Sequence, residues 1–137
     1  MAHVSDAKRF AIEGATAGPY VTVLTLSGPV ENGAHESLRA ELAAPKLASQ
    51  RVVVDLTEAT LYDSWAFALL ADETRRFERS GGQLVVVSGD NSTVDPFVDD
   101  PSLPGLRWFR SLNEALAVVL GEVVEQTSWP TELPQKA

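Results

Sequence analysis

Cysteine is absent from the 137 residues, and there are only two histidines. Without a thiol there can be no disulfide, no thiolate metal site and no cysteine nucleophile. That composition suits a reducing compartment, and a cytoplasmic location is the expectation. His3 lies in the polar stretch Met1-Ala2-His3-Val4-Ser5-Asp6, which lacks the apolar segment of a secretory signal. His35 lies on a polar part of the first predicted helix, where a solvated side chain is expected. A serine triad would have to use His35, and nothing near it in sequence orients such a set. Long apolar runs are missing too. The longest, Trp65 to Ala71, is far short of the roughly 20 residues that cross a bilayer. A soluble, non-enzymatic chain is the expectation.

Basic residues are in deficit: 11 Lys and Arg stand against 19 Asp and Glu, for a formal charge of −8 and a pI near 4.6. Such a surface gains nothing by counterion release from nucleic acid or from anionic lipid. Arg75, Arg76 and Arg79 share one predicted helix, but Asp72, Glu73 and Glu78 are interleaved with them. The partner indicated is a protein, with neither nucleic acid nor membrane insertion. No glycine-rich phosphate loop is present, and Gly81-Gly82 follows a predicted helix, so it reads as a stop. Asp90, Asp95, Asp99 and Asp100 invite a calcium loop, but counting from Asp90 places Asp95 where glycine is needed and Pro101 where the bidentate glutamate belongs. A solvated loop is the better reading, and no metal or cofactor is expected.

The periodicities predict alternating strands and helices. Residues 9–13 and 20–26 read as a hairpin joined by the turn-rich segment 14–19, with Ser27-Gly28-Pro29 ending the second strand. Asn32 is placed to cap a helix over 33–44 that buries Leu38 and Leu42. Val52-Val53-Val54 and the run 84–87 are short continuous apolar strands, the kind covered on both faces. Between them a helix over 64–79 is expected. One helical turn within 92–98, a short strand over 106–109 and a helix over 111–126 opened by the capping box Ser111/Glu114 complete the chain. The order predicts a single α/β domain over 9–126, with a mixed, mostly parallel sheet, an N-terminal antiparallel hairpin and about four helices. The segments 1–8 and 127–137 are expected to be flexible.

The most informative stretch is Val54-Asp55-Leu56 followed by Asp63-Ser64-Trp65-Ala66. A buried strand ends, a loop crosses, and Asp63-Ser64 falls where a helix must begin. Either residue suits helix capping, and an exposed serine there also suits a phosphate. Capping is the commoner use.

These residues resemble the STAS family, the domain shared by anti-sigma factor antagonists and the cytoplasmic tails of sulfate transporters. Gly28-Pro29-Val30-Glu31 is similar to the family's Gly-x-hydrophobic-Asp, and Asp55-Leu56 with Asp63-Ser64 is similar to its Asp-Leu and Asp-Ser-Ser/Thr-Gly signature. Gly81-Gly82-Gln83 with the strand after it, and Gly105-Leu106 with Ser111 to Leu116, fit the later elements. The resemblance spans about residues 9–122. It implies a STAS fold and binding to a kinase that is also an anti-sigma factor, with phosphorylation of the residue after Asp-Ser releasing the pair. Here that acceptor position is Trp65, the following glycine is Ala66, and the aspartate is Glu31. Ser64 remains the one phosphorylation candidate. The expectation is therefore a regulatory binding module without the usual phosphoserine switch. An adaptor subunit of a lipid-transport ATPase or another larger assembly is the alternative, and a nucleotide-binding module a third reading.

A helical wheel puts Ala66, Leu70, Thr74 and Phe77 on the face toward the sheet, with Trp65, Ala68, Asp72 and Arg76 opposite. With Glu31, Asp63 and Ser64, these four make up the predicted partner surface. Trp65 is either an exposed binding hot spot or a lid folded over the core. The wheel points to the first.

Overall fold

Val52, Val53 and Val54 lie near the start of the longest strand, fully enclosed, because the sheet is covered on both faces. The computed structural model describes residues 9–122, apart from 32, 48–49, 99 and 103–104. Asn32, Asp99, residues 123–126 of the predicted last helix and the two terminal segments lie outside the described residues, as does His3.

Five strands form one sheet in sequential order: β1 (Ala11–Gly18), β2 (Val21–Val30), β3 (Arg51–Leu61), β4 (Gln83–Val87) and β5 (Trp108–Phe109). β1 pairs antiparallel with β2, and every other neighbour is parallel. The helices are α1 (Ala34–Leu42), α2 (Trp65–Arg79), the single turn α3 (Asp95–Val98) and α4 over 112–122, with a 3-10 turn at Pro45–Leu47. The Ser111 hydroxyl accepts the Glu114 N–H at 3.1 Å, the first half of the expected capping box.

Alternation along the strands divides the core. Leu24, Leu26, Val52, Val54, Leu84 and Val86 face α1 and α2, while Val21, Val23, Val53, Val85 and Val87 face Ala115 and Val119 of α4. Right-handed parallel crossovers put α1 and α2 on one face, and α4 covers the other. Leu70 and Phe77 of α2 are each 1% exposed, so each contributes about 1.5–3 kcal/mol by burial.

Several boundaries differ from expectation. The turn-rich segment 14–19 is mostly strand: β1 continues to Gly18, and only Pro19 and Tyr20 turn, with Tyr20 at φ 63°. Pairing with β2 overrides the weak strand preference of its small residues. Ser27-Gly28-Pro29 does not end β2, which passes through it to Val30 by way of a register shift between Thr25 and Ser27. Gly28 takes φ 83°, and a Cβ there would fall 2.3 Å from the Arg9 carbonyl oxygen. β1 begins only at Ala11, opposite Ser27, so at Pro29 β2 is paired with β3 alone and tolerates proline. β3 likewise runs on to Leu61, through the segment expected to be a loop.

The acidic loop is anchored rather than simply solvated. The Asp90 side chain is 98% exposed, but Val94 is fully buried beside it. Asn91 Nδ2 donates to the Leu56 carbonyl at 2.7 Å and also to that of Ala59. Its Oδ1 accepts the Thr93 N–H at 2.9 Å and the Thr93 hydroxyl at 2.7 Å, and that hydroxyl in turn accepts the Leu61 N–H at 3.1 Å. Asp100 turns inward on its own loop, where the Ser102 N–H and then the Ser102 hydroxyl hold its carboxyl below the usual range.

Candidate functional site

β2 and β3 finish side by side, with Val30 paired to Leu61 and both buried. The residues that follow turn outward together and form a corner. Glu31 is exposed, and its carbonyl accepts the Ala34 N–H at 2.8 Å as α1 begins, with Gly33 supplying the left-handed φ of 87°. After Leu61 comes Tyr62, which is 64% exposed. Asp63 Oδ1 then accepts the Trp65 N–H at 3.3 Å.

Ser64 stands at the N-cap position but makes no side-chain capping bond, so Asp63 alone does the polar work at this helix start. The Ser64 carbonyl accepts the N–H groups of Phe67 and Ala68, both at 3.1 Å, and its side chain is exposed. Nothing in this geometry occupies the hydroxyl as a cap.

The face of α2 predicted to be solvent-facing is divided. Ala68 and Asp72 are exposed, the latter paired with Arg75. Trp65 and Arg76 are half-buried. The wheel treats the sheet as the only neighbour of α2, whereas α1 packs along its flank. Arg76 Nη2 donates to the Leu42 carbonyl at the end of α1 at 2.8 Å, and its Nε donates to Glu73 at 2.7 Å. Glu73 is only 9% exposed, and its charge is met by that guanidinium. Trp65 packs on the core and meets His35 of α1 edge to face, with ring centroids 4.2 Å apart. His35 is therefore half-buried rather than solvated, and its Nδ1 is enclosed with no hydrogen-bond partner among the described residues.

An open notch of about 310 Å³ lies at the corner, lined by Val30, Glu31, Tyr62, Asp63 and Trp65. Next to it a second hollow of about 410 Å³ shares Glu31 and extends past Phe10, Pro29 and Ser37. The structure thus brings Glu31, Asp63, Ser64 and Trp65 together, with Ala68 and Asp72 further along α2 and Arg76 turned toward α1. Sequence reasoning missed Tyr62 and His35. Tyr62 was findable, since it follows the buried Leu61 at a strand end and so must point away from the core. His35 was not, because its burial depends on the packing of α1 against α2. Among the described residues no group of histidine, aspartate and glutamate side chains is arranged to hold a metal ion, and no helix is long and apolar enough to cross a membrane.

The STAS domain family model matches residues 15–100, a span that includes the corner. The anti-sigma factor antagonist SpoIIAA, in its unphosphorylated form, superposes with a TM-score of 0.63 at 17% identity, covering 81% of this chain and 99% of that one. An anti-sigma factor antagonist from Mycobacterium paratuberculosis superposes at 0.67 with 19% identity, over 81% and 94%. The phosphorylated form of SpoIIAA, described as a Bacillus cell fate determinant, gives 0.59 at 17% identity, over 80% and 99%. No curated protein matches closely enough to count as a relative. The family model covers more than half of the chain, whose five strands form one mixed sheet, and the chain belongs to the STAS domain family.

Proposed function

We propose that this domain regulates a protein partner by docking it at the corner between Glu31 and the start of α2, and that it performs no catalysis. The partner class is the anti-sigma factor kinase bound by antagonists of this fold, or a signalling assembly built around one, in the cytoplasm. The observation that carries the reading is Tyr62: a tyrosine 64% exposed, beside a half-buried tryptophan, on a surface flanked by carboxylates. Aromatic side chains at such a place bury large area on docking at little entropic cost. The phosphoserine switch is absent in this reading, since Trp65 stands at the acceptor position and has no hydroxyl.

Tyr62→Ala is the cleaner test, because Tyr62 contributes little to the core. Its affinity for a partner captured from native lysate should fall by about 2 kcal/mol or more, with the melting temperature nearly unchanged. Trp65→Ala should weaken binding and also destabilise the fold. Incubation with the captured kinase and ATP should leave the chain unmodified by mass spectrometry. Unchanged affinity in Tyr62→Ala would move the docking surface elsewhere, and stoichiometric phosphate on Ser64 would restore the switch one residue early.

A further inference from the structure

We infer that the notch at the corner is a receptor for an arginine side chain of the partner, a reading that rests on docking at this corner. Its lining combines two features that together suit one kind of group. Tyr62 and Trp65 supply aromatic surface, and Glu31 and Asp63, both exposed, supply carboxylates beside it. Aromatic faces attract cations, and carboxylates accept from N–H donors. At about 310 Å³ the notch lies at the lower end of the range for small-ligand pockets, which suits a single long side chain. The chain's charge of −8 steers basic partners toward it.

Arginine fits better than lysine. A guanidinium is planar, stacks on a ring and offers forked donors to two acceptors, whereas an ammonium is a compact and strongly hydrated point charge. The notch is also partly built before binding. His35 meets Trp65 edge-on at 4.2 Å and the core holds the indole from beneath, so little ordering remains to be done when the partner arrives. The N-terminus of α2 opposes a cation, but its partial charge of about +0.5 is outweighed by the two carboxylates, one of which already accepts the Trp65 N–H. An anionic ligand would have to approach both of them.

The test is a titration of the isotopically labelled protein with Nα-acetyl-arginine amide, followed by amide and indole N–H resonances. The citrulline analogue, nearly isosteric and uncharged, is the control, and the lysine analogue the competitor. The expected result is saturable movement of the Trp65 indole and of the Tyr62 and Asp63 amides in the millimolar range. Lysine should bind at least about threefold more weakly, and citrulline should not saturate. Glu31→Gln and Asp63→Asn should each weaken arginine binding by about three- to tenfold. Tyr62→Phe should preserve it and Tyr62→Leu should not. Equal responses to arginine and citrulline, or no response up to about 100 mM, would overturn the assignment. Partner binding lost in Tyr62→Leu without any response to the arginine probe would overturn the arginine chemistry and leave docking standing. A notch that binds arginine while partner affinity ignores Glu31→Gln, Asp63→Asn and Tyr62→Leu would overturn the partner's arginine and the docking corner together.

Discussion

Asn91→Ala removes a single small polar side chain and should cost about as much as a modest core truncation. Asn91 makes four hydrogen bonds: two to the carbonyls of Leu56 and Ala59 in β3, and two from the Thr93 N–H and hydroxyl. A net value of about 1 kcal/mol per bond sets an upper figure of about 4 kcal/mol. The freed Thr93 groups are part-buried and can reach water, and the lost side chain returns about 1 kcal/mol of rotamer entropy to the balance. The two β3 carbonyls then dominate, giving an expected loss of about 2–3 kcal/mol. For a chain of this length that lowers the melting temperature by about 8–12 °C. Urea unfolding should show a shifted midpoint with an unchanged slope, since the surface exposed on unfolding stays the same. The bond from the Leu61 N–H to Thr93 extends the brace to the residue before Tyr62. A double-mutant cycle with Thr93→Val should therefore show coupling of about 1 kcal/mol. A loss below about 0.5 kcal/mol, or strict additivity with Thr93→Val, would refute the view that this loop anchors the end of β3.

Two further predictions concern α2. Leu70→Ala should destabilise by about 2–5 kcal/mol in denaturant titration, because Leu70 is buried between helix and sheet, and a loss near zero would contradict that packing. Ser64→Ala should shift stability by less than about 0.5 kcal/mol, as no capping bond is lost, whereas Asp63→Ala should cost about 0.5–1 kcal/mol. The reverse ranking would show that the serine caps the helix in solution.

What the sequence revealed followed from where the physics is local. Val52–Val54 and the run 84–87 were readable as buried strands, because continuous apolar residues have few other uses in so short a span. The helix start at Ser111 was also readable, because a cap depends only on residues three apart, and the Ser111 half of the expected box is present. β1 was half hidden, since Gly14, Ala15, Ala17 and Gly18 carry little strand preference and owe their conformation to β2. Gly28-Pro29 looked like a terminator because only the finished sheet shows that β2 has lost one neighbour there. At the site, Asp63 and Ser64 marked the helix start correctly, but the wheel erred for Trp65 and Arg76. A wheel assumes one buried side, and α2 has a second in α1.

The sequential strand order also bears on how the chain can assemble. Each strand pairs with its immediate predecessor, so no segment has to wait for a distant one before the sheet can grow. The β1–β2 hairpin can form first, and β3, β4 and β5 can be laid down in the order in which they leave the ribosome. The corner at Glu31 and Tyr62 is complete once α2 and the 91–93 loop have followed β3, before α4 is made. The opposite face has no such early cover. Val21, Val23, Val53, Val85 and Val87 stay open to water until α4, which follows all five strands, folds back across them. A nascent chain is therefore most prone to sticking to its neighbours in the interval between β5 and α4, with its docking corner already built and its second hydrophobic face still bare.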